Sequence, residues 1–286
     1  MKAAVQAPPA AAGIELANWN WRVVRELIRR RFQSELAKSS CLNYLHRLGF
    51  VLKRPKKRLL KADAEKRAAF VRFYGALREE AQAGGAMIFF ADEAHLRAEA
   101  DLRGKWVLSG ERALVDSSSP RLGERASYYS AVCLETGEVE RMEPEGNCTA
   151  QTSAALLRQL RANHPEPLVV IWDNSPAHHG KAIREYLSTP DLRLRLVALP
   201  AYSPDFNADE TIWDWLREEV TANTCLGSKA RVQEKTGQFF QRLAGRANDV
   251  KRRCRTTLQA QADALSTPAP EMLHPPIHVD LTLALV

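Results

Sequence analysis

Met87-Ile88-Phe89-Phe90-Ala91-Asp92-Glu93 and Leu168-Val169-Val170-Ile171-Trp172-Asp173-Asn174 decide the fold. Each is a short unbroken apolar run that stops at an acid. That is the pattern of a strand buried on both faces, as in sheets covered by helices. Leu194 to Leu199 is a third such run. Between and around them lie further strands at Lys105 to Leu108, Ser127 to Leu134 and Val139 to Met142. Glu135-Thr136-Gly137-Glu138 supplies the turn between the last two. Helical periodicity marks Thr149 to Asn163, with Leu156, Leu157 and Leu160 on one face, then Lys181 to Leu187 and Asp209 to Val220. A hairpin followed by alternating strands and helices predicts an α/β domain, a mixed sheet flanked by helices. Ligand groups in such sheets gather where strands end, and two of the three buried runs end in an acid.

The chain has 286 residues, 45% of them hydrophobic and 26% charged, enough apolar material for a core and too much for a disordered chain. No uninterrupted apolar run approaches the roughly 20 residues that span a bilayer, so no membrane partner is expected. The N-terminus lacks the continuous apolar stretch of a signal peptide, since Gln6, Pro8 and Pro9 interrupt it. Five cysteines are scattered and never spaced C-x-x-C, which predicts reduced thiols and a cytoplasmic protein.

Charge is concentrated. Trp21 to Arg67 carries fifteen Lys+Arg against four Asp+Glu, a net +11, while the whole chain is only +7. A basic arm on an acidic body suits a polyanion, although a solvated helix surface is the plainer reading of such a run. Within the arm, Arg22 to Phe32 repeats Val24, Leu27, Ile28 and Phe32 at helical spacing. After the polar break Gln33-Ser34-Glu35, Ser39 or Ser40 is placed to cap a second helix carrying Leu42, Leu45 and Leu48, stopped by Gly49. Two short helices in this order predict a helix-turn-helix, with Ser39, Asn43, His46 and Arg47 facing a major groove. Lys53, Arg54, Lys56, Lys57 and Arg58 follow as phosphate contacts.

Three acids are candidates for chemistry: Asp92, Asp173 and Glu210. Hard divalent ions take oxygen ligands, and a pair of them neutralises a phosphodiester while activating one oxygen and stabilising another. Each acid also has a plainer reading. Asp92 ends a strand in a turn, and Asp173 opens a turn in which Ser175 caps a helix. With Asn207 as N-cap, Glu210 falls at the third helical position and completes a capping box. The triple outweighs the single readings. His178 and His179 lack the Cys or His partners of a soft-metal site and read as helix-start residues near the site, facing DNA.

The blocks around these acids resemble the mariner superfamily of DDE transposases, closest to its bacterial insertion-sequence branch. Phe90-Ala91-Asp92-Glu93-Ala94-His95 with Gly104-Lys105-Trp106 is similar to the first family block, and Ile171-Trp172-Asp173-Asn174-Ser175-Pro176-Ala177-His178 to the second. Leu199-Pro200-Ala201-Tyr202-Ser203-Pro204-Asp205-Phe206-Asn207-Ala208-Asp209-Glu210-Thr211-Ile212-Trp213 is similar to the third, long and specific one. The family writes Pro where this chain has Ala208, and relatives tend to carry two helix-turn-helix modules where one is found here.

The resemblance implies an RNase H-like catalytic domain behind a DNA-binding module. It implies a transposase that uses Mg²⁺ or Mn²⁺ to cleave transposon ends and joins the 3′-hydroxyl to target DNA. Asp92, Asp173 and Glu210 would be both the catalytic residues and the metal ligands, with Glu93 and Asp209 as neighbours easily mistaken for them. The implied partners are double-stranded DNA and, on DNA, a second copy of the chain, in a cytoplasmic, nucleoid-associated setting. A truncated, non-catalytic regulator and a general RNase H-like nuclease are the alternatives. The expected division is an Ala/Pro-rich segment 1–20, a helix-turn-helix with basic linker 21–61, a linking helix 62–84, a catalytic domain 85–262 and a Pro-rich tail 263–286.

Overall fold

The computed structural model describes residues 1–53, 62–117 and 124–266. The chain forms two compact units, divided after Arg58.

The first unit is helical. Helix α1 (Lys2–Gln6) leads through a 3₁₀ turn at Pro9–Ala12 to α2 (Trp21–Phe32) and α3 (Lys38–Arg47). Asn20 starts α2, its side-chain oxygen accepting from the backbone N–H of Arg22 and Val23, which satisfies two otherwise orphaned donors. Arg29, Arg30 and Arg31 in the last turn complement the helix dipole. Val24, Ile28 and Cys41 bury the contact between α2 and α3, while Ile14 joins Val23 and Leu27 on the other side of α2. Residues 1–20 thus add helix to this unit, which an Ala- and Pro-rich composition did not suggest. The expected serine cap of α3 is absent. The helix begins at Lys38 without a side-chain cap, so Ser39 and Ser40 lie inside it. Its buried face is set by Cys41 rather than by Leu42, which is exposed.

The second unit opens with α4 (Ala64–Gly84), capped by Asp63 and ended by Gly85 in the left-handed region. Among the described residues five strands follow: β1 (Met87–Arg97), β2 (Arg125–Cys133), β3 (Val139–Met142), β4 (Leu168–Trp172) and β5 (Leu194–Ala198). Their order is β3-β2-β1-β4-β5, with β1 antiparallel to β2 and parallel to β4. Helices α5 (Ala150–Asn163) and α6 (Lys181–Leu187) connect β3 through β4 to β5. After β5 come α7 (Glu210–Leu216), a π-turn at Arg217–Thr221, α8 (Lys229–Leu243), α9 (Ala247–Arg253) and α10 (Thr257–Ser266).

Strand alternation sorts the core into two layers. Ile88, Phe90, Val169, Ile171 and Val197 pack with residues of α4, α7, α8 and α10; Phe89, Ala91, Val170 and Trp172 pack with α5 and α6. This is a mixed sheet flanked by helices on both faces.

Two expectations change. Lys105 to Leu108 forms no strand, and Trp106 there is fully exposed. Strand β1 does not stop at the acids but runs on to Arg97, because antiparallel pairing with β2 continues from Glu93 to Arg97. That half needs only alternating burial, which Ala94 and Leu96 supply.

Candidate active site

The first acid sits mid-strand. Asp92 lies on β1 opposite Ser130 of β2, on the same sheet face as Phe90 and Ala94. Phe90 pairs with Ile171 on the neighbouring parallel strand. Asp92 and Asp173 therefore stand two residues beyond the same rung. The third acid arrives from α7. That helix is held by Ile212, Trp213, Trp215 and Leu216, all buried, so the core anchors it from Ile212 onward. Truncating a buried Trp of this kind costs about 3–5 kcal/mol.

Glu210 opens α7 at its first helical position, with Asp209 before it as N-cap. The capping-box reading is thereby corrected. Asn207 accepts from the N–H of Asp209, two residues on, and bonds elsewhere with its amide nitrogen. Glu210 is exposed, near enough for its charge to act on the Asp92 carboxyl. Burial, then the charges of Asp209 and Glu210, push the Asp92 carboxyl well above the ordinary carboxylate range.

Asp173 is turned toward a different partner. Its Oδ1 lies 2.8 Å from Nδ1 of His178, whose Nε2 is 3.3 Å from Oε2 of Glu93. Ligand atoms of Glu93, Asp173 and His178 all fall within 4.8 Å of one another. Burial works against the charged form of Asp173, yet the His178 hydrogen bond and charge outweigh it and hold the carboxyl below its usual value. For His178 burial likewise opposes protonation, and Asp173 and Glu93 push it up to about 9. The imidazole is 1% exposed and stacks on Trp172 with ring centroids 3.9 Å apart. It faces the two carboxylates and not solvent, contrary to the reading of it as a DNA-facing residue. Its spacing of five residues from Asp173, across Pro176, carried no pattern that sequence reasoning could use.

The geometry is therefore a carboxyl pair, Asp92 and Glu210, beside a second group of Asp173, Glu93 and His178. Among the described residues, no Lys, Arg or His makes an ion pair with Asp92 or Glu210. Two neighbouring carboxyls without a cationic side chain are an all-oxygen donor set that a hard divalent ion would relieve, and the residues present fit such an ion.

In the helical unit, Ser39, Asn43, His46 and Arg47 are all exposed on α3, as is Lys53 beyond it. Arg54, Lys56, Lys57 and Arg58 lie outside the described residues. Arg22, Arg25 and Lys38 surround the ring of Trp21 at 5.0, 5.2 and 5.9 Å from its centroid, which gathers positive charge at the start of α2.

Comparison with known proteins agrees with both units. Residues 87–233 match the family model described as DDE superfamily endonuclease, and residues 17–73 match a winged helix-turn-helix. An uncharacterized 39 kDa protein of insertion element IS630 from Shigella sonnei is 23% identical over 245 residues, covering 84% of this chain and 69% of that protein. The fold is similar to the Mos1 strand transfer complex, with a TM-score of 0.59 and 15% identity over 92% of this chain and 78% of the other. The Mos1 mariner paired end complex with Mn gives a TM-score of 0.60 and 18% identity over the same shares. No helix among the described residues is long and apolar enough to cross a membrane.

Proposed function

The chain belongs to the DDE superfamily of endonucleases, and from that premise we propose that it is a mariner-type DNA transposase that cleaves transposon ends and joins the freed 3′-hydroxyl to target DNA. The observation that carries this reading is the placement of Asp92 and Asp173 two residues beyond one rung of adjacent parallel strands, with Glu210 opening α7 near enough to raise the Asp92 carboxyl.

Asp92, Asp173 and Glu210 are the residues that would hold Mg²⁺ or Mn²⁺. Bound there, the ions would neutralise the phosphodiester, activate the attacking oxygen and stabilise the leaving one. The protein's own part is to hold oxygen donors at fixed positions. Strand β1 sets Asp92, the end of β4 sets Asp173, and α7, packed on the Phe90 face of the sheet, delivers Glu210. His178 keeps Asp173 ionised and oriented, so that its charge is available at neutral pH. Helix α3 would read the terminal repeats, with Ser39, Asn43, His46 and Arg47 toward base edges and Lys53 to Arg58 along phosphates.

Pairing of two transposon ends requires a second copy of the chain, so a homodimer on DNA is part of this proposal, as is a cytoplasmic, nucleoid-associated location. The test is purified full-length protein on DNA with and without the element's terminal repeats, each with and without divalent metal. Metal-dependent nicking at repeat ends supports the transposase. Cleavage that ignores the repeats favours a general nuclease, and salt-sensitive binding with no cleavage favours a regulator.

A further inference from the structure

Asn207 is buried, 5% exposed, and has a use for both ends of its amide. Its Nδ2 donates to the carbonyl of Ala91 at 2.9 Å, and its Oδ1 accepts from the N–H of Asp209 at 3.1 Å. The orientation of the amide is fixed by chemistry, since a carbonyl needs a donor and an N–H needs an acceptor. Ala91 immediately precedes Asp92, and Asp209 immediately precedes Glu210. One side chain thus ties the backbone just before the first carboxylate to the backbone just before the third.

A second tie runs parallel to it. Ser130 is the cross-strand partner of Asp92, and its hydroxyl donates to Oδ2 of Asp209 at 2.5 Å. Both residues are 0% exposed. Neither bond can be exchanged for water without opening the core, so each is worth more than its surface counterpart. Between them sits Ala208, also 0% exposed, which leaves the segment from Asn207 to Asp209 no solvent-facing residue.

We propose that Asn207, together with the Ser130–Asp209 pair, is a latch that sets the separation of Asp92 and Glu210 and so tunes the affinity of the site for its divalent cation. Asn207 is a positioning residue; it touches neither metal nor DNA. The proposal rests on the transposase reading of Asp92 and Glu210. Without the latch, the two carboxyls repel and α7 is free to draw back, which the core helix alone does not prevent because its buried residues begin at Ile212.

The experiment is Mn²⁺ binding by the full-length protein, followed by electron paramagnetic resonance, for wild type, Asn207→Ala, Ser130→Ala and Ser130→Thr, with folding checked by circular dichroism. Loss of groups that orient metal ligands typically weakens metal binding about 10–100-fold. Asn207→Ala is expected in that range and Ser130→Ala to be weakened as well, with Ser130→Thr, which keeps the hydroxyl, restored. The half-saturating Mg²⁺ for DNA cleavage should rise in parallel while the rate at saturating metal changes little. Folded Asn207→Ala with wild-type Mn²⁺ affinity overturns the latch. Should Asn207→Ala not fold, the Ser130 variants decide, and equal affinity of the Ala and Thr forms overturns it. Asp92→Asn and Glu210→Gln serve as controls; Mn²⁺ binding unaffected by either refutes the site itself and the latch with it.

Discussion

Phe90 and Ile171 pair across two parallel strands, and two residues beyond that rung stand Asp92 and Asp173, 81 positions apart in the chain. The sheet brings acids from distant sequence to one end of its centre, where Asp173 is paired with His178 while Asp92 is repelled by Asp209 and Glu210.

That repulsion predicts a trade between stability and function. The Asp92 carboxyl is held well above its usual range by burial and by the charges of Asp209 and Glu210. Asp92→Asn removes a charge that the metal-free fold tolerates poorly. It is expected to stabilise the metal-free protein by about 0.5–2 kcal/mol, with each kcal/mol worth about 2–4 °C in Tm. Thermal unfolding in a chelator checks this; an unchanged or lower Tm contradicts it.

A second prediction concerns pH. The Arg67 guanidinium bonds Asp205 at 2.7 and 3.0 Å, and Thr257 donates to the same carboxylate, holding its pKa below the usual 3.8. A carboxyl with a depressed folded pKa contributes stability above its unfolded value and loses it as pH falls through the folded one. Asp205 is about half exposed, so the contribution is screened to less than ~1 kcal/mol. Urea unfolding should show wild type more stable than Asp205→Asn near neutral pH, with the gap closing below about pH 4. A gap that persists unchanged to pH 2.5 goes against this assignment.

Gly137 closes the turn between β2 and β3 at φ +78°, where a Cβ would lie 2.3 Å from the carbonyl oxygen of Ala247. Both the left-handed backbone and the contact with the start of α9 oppose any side chain. Gly137→Ala is expected to cost about 2–3 kcal/mol in urea unfolding. A cost under ~0.5 kcal/mol contradicts the packing described.

The helix-turn-helix reading predicts two kinds of DNA contact. Asn43 and Arg47 project from α3 and Lys53 follows it, all exposed. Asn43→Ala or Arg47→Ala should cost about 1–3 kcal/mol on the element's own repeats and little on unrelated DNA. Lys53→Ala should weaken both alike and lower the salt slope by about 1. Equal losses on both DNAs for Asn43→Ala assign that residue to the backbone instead.

Much of this fold was legible in the chain. Val139–Met142, Leu168–Trp172 and Lys181–Leu187 have the bounds that their patterns predict, because each is closed by turn residues or by a change of period. Strand β1 outran its pattern because antiparallel pairing tolerates polar residues such as Glu93 and His95 on an otherwise apolar strand. Trp106 misled in the opposite sense, apolar in sequence yet without a partner strand. At the site, Asp92, Asp173 and Glu210 stood out by their blocks. The roles of Ser130 and Asn207 did not, since each depends on a hydrogen bond between elements far apart in the chain, and that of His178 did not, since it depends on Glu93 from another strand as well as on Asp173. Asn207 shows the limit well: its type suits an N-cap, and burial beside Ala91 gave it a different use.

The central claim is that Asp92, Asp173 and Glu210 together hold the divalent cation that cleaves DNA. Strand cleavage of terminal-repeat DNA in Mg²⁺ by Asp92→Asn, Asp173→Asn and Glu210→Gln tests it most directly, with repeat binding measured alongside. Several kcal/mol of lost charge stabilisation predicts that each variant cleaves on the order of 10³-fold more slowly or not at all while binding the repeats as wild type does. Wild-type cleavage by any one of the three would contradict the claim.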